Sequence, residues 1–339
     1  MNILLTSAGR RTYMVEYFKK ALNGSGKVFA SNSVLTHTLL CADEYVLTPN
    51  IYEDQYISFL IKYCKQKNIN AIISLFDIDL PVLSKNRSVF EKENIKLVVS
   101  NYKATQICND KWETYNFLKN IGINQTPSFI TVADTKVALS KKEIAYPLYL
   151  KPRWGMGSIG IYKAENDVEL DVLYQKLHRE IFDTYLKYES ASDIEKSVII
   201  QQAIKGQEYG IEILNDLNSK YVTTFAKKKI AMRSGETDIA ETVDAKEFKD
   251  IAKKISVHLK HVAILDVDCF KTSDGNIAVL EMNCRFGGQY PFTHVAGVDV
   301  PKQIVQWLTG AGTDPKLLQI TTGLTACKEI TPAIIAIKE

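Results

Sequence analysis

The sequence is short of the residues that mark several protein classes. Its six cysteines (Cys41, Cys64, Cys108, Cys269, Cys284 and Cys327) include no C-x-x-C pair. This argues for reduced thiols rather than a disulfide framework or a zinc ribbon. The five histidines (His37, His178, His258, His261 and His294) show no metal-ligand spacing. No apolar run approaches the roughly 18–20 residues that span a bilayer. Charge of one sign is also missing: 42 Lys and Arg face 39 Asp and Glu, a net +3. That excess is too small to point to a nucleic-acid or membrane partner. Met1–Thr6 reads as a strand followed by Arg10-Arg11, the reverse of the basic-then-apolar order of a signal peptide. A cytoplasmic protein acting on small molecules is expected, with a homodimer left open.

What is present is an ordinary globular composition, 46% hydrophobic and 24% charged over 339 residues. That length suits two or three packed subdomains. The first hundred residues alternate strand and helix signals: strands at 2–6, 27–31, 44–47, 71–76 and 96–100, with amphipathic helices at 12–22 and 54–66. In the second helix, Ile57, Leu60, Ile61 and Cys64 are spaced for burial. Such alternation predicts an α/β unit, a parallel sheet with helices on both faces. A boundary falls near 101–105. Residues 105–197 read as a second unit with a helix over 112–118, strands at 128–132 and 148–151, and a charged, Tyr-rich helical stretch over 166–197. From 198 the strand signals return, at 198–201, 209–214, 221–226, 265–271 and 277–282, with a helix over 246–258 and a short closing extension from 317.

Two segments carry chemistry. Gly155-Met156-Gly157-Ser158-Ile159-Gly160 is a literal G-x-G-x-x-G. A dinucleotide fold would need a helix after it, whereas Ile159–Tyr162 alternates like a strand. The segment therefore reads as a hairpin whose glycine-rich tip either turns the chain or folds over phosphates, with Lys151 on the incoming strand adding charge. Downstream, Glu281 and Asn283 lie two apart on a strand and so face one side. Asp268 lies across the Asp274-Gly275 hairpin turn from them. These oxygen donors suit Mg²⁺ (or Mn²⁺) bound with nucleotide phosphates. Arg285, just past the strand, is placed to fork onto a phosphoryl group. Lys227-Lys228-Lys229 lacks interleaved aromatics and reads as a solvated strand end or a phosphate-side contact, not a nucleic-acid patch. Asp77 and Asp79 follow an apolar strand, where α/β sheets place ligands; each is read as a contact to an acceptor substrate or as a helix cap.

Glu281-Met282-Asn283-Cys284-Arg285-Phe286-Gly287-Gly288 resembles the E-x-N-x-R-[FY]-G-G segment of ATP-grasp enzymes, most closely those similar to the large subunit of carbamoyl-phosphate synthase. Other parts follow in the order that family requires. Asn109-Asp110-Lys111 resembles the segment with its first ATP-binding lysine, and Leu150-Lys151-Pro152 with the glycine-rich loop resembles its second lysine and lid, Gly155, Gly157 and Ser158 included. Ile199–Glu208 looks like its hinge, which implies adenine contacts from the backbone of Gln202, Ala203 and Ile204, and ribose contacts from Glu208. Met232–Thr237 resembles the loop whose arginine, here Arg233, assists substrate and phosphate. Thr6–Arg11 looks like the preceding Rossmann-like domain. Cys284 stands where the family usually has Pro, and Gln202 where an acidic residue is common.

The resemblance implies a Rossmann-like domain (1–104), a lid subdomain (105–197) and a central, α+β subdomain (198–339). It implies a ligase that uses ATP and Mg²⁺ to join a small-molecule carboxylate to an amine or thiol through an acyl phosphate. Lys111 and Lys151 would hold phosphates, Arg233 and Arg285 the transferring phosphoryl group, and Asp268, Glu281 and Asn283 the metal. A second ATP-grasp copy and a glutaminase-like segment are not found in these residues, which counts against carbamoyl phosphate synthesis itself. Activation of bicarbonate, and ATP binding without turnover, are the alternatives.

Overall fold

The computed structural model describes residues 1–157 and 159–335. Its N-terminal part runs β1 (Ile3–Thr6), α1 (Thr12–Leu22), β2 (Val28–Asn32), α2 (His37–Cys41), β3 (Glu44–Leu47), α3 (Gln55–Gln66), β4 (Ala71–Ser74), α4 (Asp79–Lys85), α5 (Arg87–Lys92) and β5 (Lys96–Leu97). All five strands are parallel, in the order β3-β2-β1-β4-β5. β1 and β4 are buried at every position, as strands covered by helices on both faces must be. The strand order reverses between β1 and β4, which makes the crevice at their carboxyl ends the switch point of this sheet. In α3 the buried residues are Tyr56, Leu60, Tyr63 and Cys64. Ile57 and Ile61 are only partly covered, because two tyrosines, not the isoleucines, complete the face.

Next come α6 (Tyr102–Asn109), α7 (Lys111–Asn120), β6 (Ser128–Phe129), α8 (Val132–Ser140), β7 (Leu148–Pro152), β8 (Tyr162–Ala164), α9 (Asp167–Phe182), α10 (Lys187–Ser190) and β9 (Val198–Gln202). Their strands form an antiparallel sheet, β6-β9-β7-β8. The strand expected at 128–132 stops at Phe129, since Thr131 caps α8 by accepting from the Asp134 N–H at 3.1 Å. β9 pairs within this sheet, past the division expected at 197/198.

The remainder is β10 (Gly206–Asn215), β11 (Tyr221–Arg233), β12 (Glu236–Val243), α11 (Lys249–Leu259), β13 (Ile264–Thr272), β14 (Ile277–Asn283), α12 (Tyr290–Val295), α13 (Val300–Leu308) and β15 (Thr325–Cys327). Six strands order as β14-β13-β10-β11-β12-β15, and neighbouring pairs are antiparallel. The mixed α/β architecture matches expectation. β12 was not expected: its Glu-Thr-Asp-Ile-Ala-Glu-Thr-Val sequence has little apolar alternation, and it is specified by pairing with β11.

Two apolar clusters each combine residues of the parallel sheet and the six-stranded sheet, so these two share their cores. A third, around Leu148, Leu150, Leu170, Leu177 and Ile200, belongs to the four-stranded unit alone. Among the described residues no helix is long and apolar enough to cross a membrane, and all six cysteines are free.

The Lys227–Lys229 run is not a solvated strand end. Lys227 is fully buried, with Nζ 2.9 Å from Glu212 Oε2 and 2.7 Å from the Thr293 hydroxyl. Strand alternation turns Lys227 and Lys229 to the covered face of the sheet. Removing one member of such a pair strands the other charge in the interior. Lys227→Met should therefore destabilise the fold by about 3–5 kcal/mol, and adding Glu212→Leu should recover most of that loss, as read by urea unfolding.

Candidate functional site

Alternate residues of four neighbouring strands bring charges together on this face. Antiparallel register sets Gly210 opposite both Lys227 and Asp268, Glu212 opposite Asp266, Asp268 opposite Glu281, and Asp266 opposite Asn283. Lys229 Nζ lies 2.7 Å from Glu208 and 2.7 Å from Asp268. Burial works against the Lys229 charge, but the two carboxylates outweigh it and raise the lysine's pKa.

The two lysines expected on phosphates arrive from outside this sheet. Lys111 opens α7, where Asp110 caps the helix by accepting from Trp112 and Glu113 N–H groups. Asp110 also takes a fork from Arg153 at 2.7–3.0 Å, which joins the start of α7 to the end of β7. Lys111 Nζ lies 3.8 Å from Glu281 and donates to the Gly155 carbonyl of the glycine-rich loop. Lys151, on β7, is buried. Burial pushes its ammonium down to about 8; Glu281 and Asp268 counter the shift, and Lys111 adds to it. For Glu281, burial is outweighed by Lys111, Lys151 and Arg285, which hold its carboxyl below the usual range. Lys111, Lys151, Glu281 and Asp268 thus share one electrostatic neighbourhood beneath the loop. That loop joins antiparallel β7 and β8, and no helix follows Gly160 directly; the segment is a hairpin.

Asp268 and Glu281 sit in register, and Asn283 Nδ2 lies 3.4 Å from Glu281 Oε1. No group of three His, Cys, Asp or Glu side chains is poised for a metal among the described residues. Two carboxylates and an amide oxygen nevertheless fit Mg²⁺, which takes a few protein oxygens and completes its shell with phosphate and water.

Arg285 is not a free phosphoryl clamp. Its Nε and Nη2 donate to Asp77 at 3.0 and 2.8 Å, and Nη1 reaches Asp266 at 3.3 Å. Burial opposes the guanidinium's charge, while Asp77 and Asp266 outweigh it and raise its pKa. Asp266 is pushed up to about 6 by burial and by Asp268, against the pull of Arg285. Gln289 Nε2 also donates to Asp266, and to Asp268 at 3.3 Å. Gly210 makes room for it, since a Cβ there would sit 1.4 Å from Gln289 Oε1. Cys284 is buried with Sγ 3.2 Å from Cys108 Sγ, packing the segment against α6.

Other expected residues have mixed fates. The Gln202 carbonyl accepts from Thr126 at 2.6 Å, and the Gln202 and Ala203 N–H groups donate to Pro127 and Pro147 carbonyls at 3.1 Å. The Ile204 N–H has no acceptor among the described residues, which leaves a backbone donor at the hinge. Glu208 is engaged by Lys229. Arg233 ends β11, half-exposed; it pairs with Asp238 and donates to the Lys328 carbonyl, so the structure does not bring it onto Lys111, Lys151 or Glu281. Gly157 lies in the loop with φ 62°, and Ser158 lies outside the described residues. Asp79 is neither a cap nor an exposed contact: fully buried, it accepts from Thr6, Ser7, Tyr56 and Ser74. Asp266 and Gln289 were not singled out, and Lys229 was read only within a run expected to be a solvated strand end or a phosphate-side contact. Strand alternation from the expected Asp268 marks Asp266, but nothing local marks Gln289.

The family described as the ATP-grasp domain matches residues 108–289, and the one described as the PylC-like N-terminal domain matches residues 3–98. The chain is 23% identical to the carbamoyl phosphate synthase arginine-specific large chain of Bacillus subtilis over 79% of its own length and 25% of that protein's. It is 27% identical to the vancomycin/teicoplanin A-type resistance protein VanA of Enterococcus faecium, over 64% of its own length and 66% of the other's. Its fold is similar to a biotin carboxylase from Campylobacter jejuni solved with an ATP analogue (TM-score 0.71, 17% identity, 96% of this chain and 74% of that one). The chain therefore spans about a quarter of the synthase subunit and about two thirds of VanA.

The electrostatics predict how this face binds a polyanion. Only the ammonium form of Lys151 attracts phosphate. The affinity for inorganic tripolyphosphate should fall as pH rises through about 8, and Lys151→Arg, charged throughout, should remove that inflection in a calorimetric titration.

Proposed function

Because the chain belongs to the ATP-grasp family, we propose that it is an ATP-dependent ligase joining a small-molecule carboxylate to an amine or thiol through an acyl phosphate. The observation that carries this reading is the convergence of Lys111, Lys151, Asp268 and Glu281 beneath the glycine-rich hairpin. Bringing a triphosphate and a carboxylate together requires fixed positive charge in a site that excludes water.

In this reading Lys111 and Lys151 bind phosphates. The hairpin from Gly155 to Gly160 covers them, the Gln202 carbonyl and Ile204 N–H receive the adenine edge, and Glu208 receives the ribose. Asp268, Glu281 and Asn283 would hold Mg²⁺, which supplies charge neutralisation to the transferring phosphoryl group. Lys229 has a part here as well: it neutralises Glu208 and Asp268 until ligands replace it. Arg285 acts from its pairing with Asp77 and Asp266, fixed beside Glu281, and Arg233 contributes only if its hairpin swings inward. The carboxylate oxygen attacks the γ-phosphorus and ADP leaves. The amine then attacks the acyl carbon, and phosphate and a proton leave. The four-stranded unit is the lid, hinged where β9 ends at Gln202, and the parallel-sheet unit before residue 104 frames the acceptor side.

A phosphate-release screen with Mg·ATP against panels of carboxylic acids and amines tests this reading. An active acid should yield ADP, and with hydroxylamine a hydroxamate. Release that needs only bicarbonate would favour a carboxylase-like enzyme, in keeping with the likeness to the synthase subunit. Glu281→Gln should lower ADP release by roughly 10²-fold or more while leaving the unfolding midpoint near wild type; near-normal turnover in that variant would remove Glu281 from the metal site.

A further inference from the structure

The crevice at the carboxyl ends of β1 and β4 contains two arginines with opposite circumstances. Arg285 has its carboxylates, Asp77 and Asp266. Arg11, from the loop between β1 and α1, has none within ion-pair distance among the described residues. The one hydrogen bond of its guanidinium among the described residues is from Nη1 to the Phe286 carbonyl, at 2.8 Å. The acids near Arg11 are already engaged: Asp77 and Asp266 hold Arg285, and Glu236 lies 3.0 Å from Lys328.

Arg11 is also held firmly in place. Ser7 and Gly9, in the loop that leads to it, adopt φ of 51° and 55°, a costly conformation for the serine. The loop keeps that shape because Thr6 and Ser7 hydroxyls donate to the buried Asp79 carboxylate at 2.5 and 3.2 Å, which Tyr56 and Ser74 bind as well. The result is a partly buried guanidinium beside a second guanidinium. Burial and Arg285 both lower the Arg11 pKa, and an anion would relieve both penalties.

We propose that Arg11 anchors the carboxylate of the acid substrate in this switch-point crevice. The position suits the task, because open α/β sheets bind ligands outside the carboxyl ends of their strands where the order reverses. Arg285 links the two sides electrostatically, since its charge acts both on Glu281 and on Arg11. An Arg fork on a carboxylate fixes orientation as well as position. This inference rests on the ligase reading for the identity of the anion, and on the geometry of Arg11 for its site.

The test uses the full chain with ¹³C-acetate and ¹³C-succinate as probes, read by NMR line broadening in the presence of a saturating non-hydrolysable Mg·ATP analogue. Binding of that analogue is measured separately by fluorescence. Wild type should broaden the probes saturably. Arg11→Gln should weaken them by about tenfold or more, Arg11→Lys by less, and both variants should keep wild-type affinity for the nucleotide. Retained nucleotide binding doubles as the check on folding. Equal probe affinity in wild type and Arg11→Gln would overturn the anchor and leave the ligase reading standing, as would wild-type protein that shows no saturable broadening at millimolar acetate. A wild-type protein that ignores the nucleotide would count against the ligase reading, and the acetate comparison would still decide Arg11.

Discussion

Charge balance on one face of the six-stranded sheet is the constraint from which the site follows. Glu208, Glu212, Asp266, Asp268 and Glu281 crowd together there, and the interior allows such carboxylates only where opposite charge lies close. Lys227 and Lys229 supply it from the same sheet. Lys111 and Lys151 supply it from the start of α7 and from strand β7 beneath the hairpin, and Arg285, just past β14, draws in the Asp77 loop of the parallel sheet. The folded arrangement of three units around the cleft is thus partly an electrostatic solution to one acidic surface. On the proposed ligase reading, the balance also sets how ligands would enter. A triphosphate competes with the carboxylates for the lysines, and a cation competes with the lysines for the carboxylates. Neither exchange is favourable alone, because each leaves like charges facing one another; together they restore neutrality.

Much of this was legible in the sequence where local pattern and pairing coincide. The β7–β8 hairpin follows from the alternation after Gly160, and the β13–β14 hairpin from Asp274-Gly275. The parallel sheet follows from the regular strand–helix alternation of the first hundred residues. The grouping of Asp268, Glu281 and Asn283 followed too, since Glu281 and Asn283 are two apart and a short turn fixes Asp268 opposite. The carboxylate partners of Lys229 were not legible. They lie on β10 and β13, about 20 and 40 residues away in sequence, and only the tertiary register reveals them. For the same reason Lys227 looked like part of a solvated run. Charged residues in consecutive positions read as surface, yet alternation sends every second one inward, and burial is decided by what covers that face. The buried tyrosines of α3 make a similar point, because amphipathic spacing marks a helix but not which of two adjacent stripes the neighbours will cover.

The sequence marked Arg285 but not its partners. A guanidinium after a strand of oxygen donors invites a phosphoryl contact, and nothing local signals that Asp77, some 200 residues earlier, closes on it. That pairing changes the argument. With two carboxylates around it, Arg285 supplies little net positive charge to a ligand. Its work is to tie the parallel sheet to the end of β14, so that whatever sits at the switch point keeps a fixed distance from Glu281.

A rigid link on one side gives meaning to the separate core on the other. The parallel and six-stranded sheets share two apolar clusters and the Arg285 fork, so they behave as one body. The four-stranded sheet has its own cluster, whereas α6 and α7 pack into the shared core through Ala104, Cys108 and Leu118 and carry Lys111 to Glu281. Separating two shared apolar cores would expose large apolar surface, whereas exchanging polar partners in water costs little. The distribution of burial therefore leaves the four-stranded sheet freer to shift than the other two are relative to each other. β13, β14 and the carboxyl ends of β1 and β4 stay fixed relative to each other, as the proposed ligase reading would require of a site that positions two reacting groups.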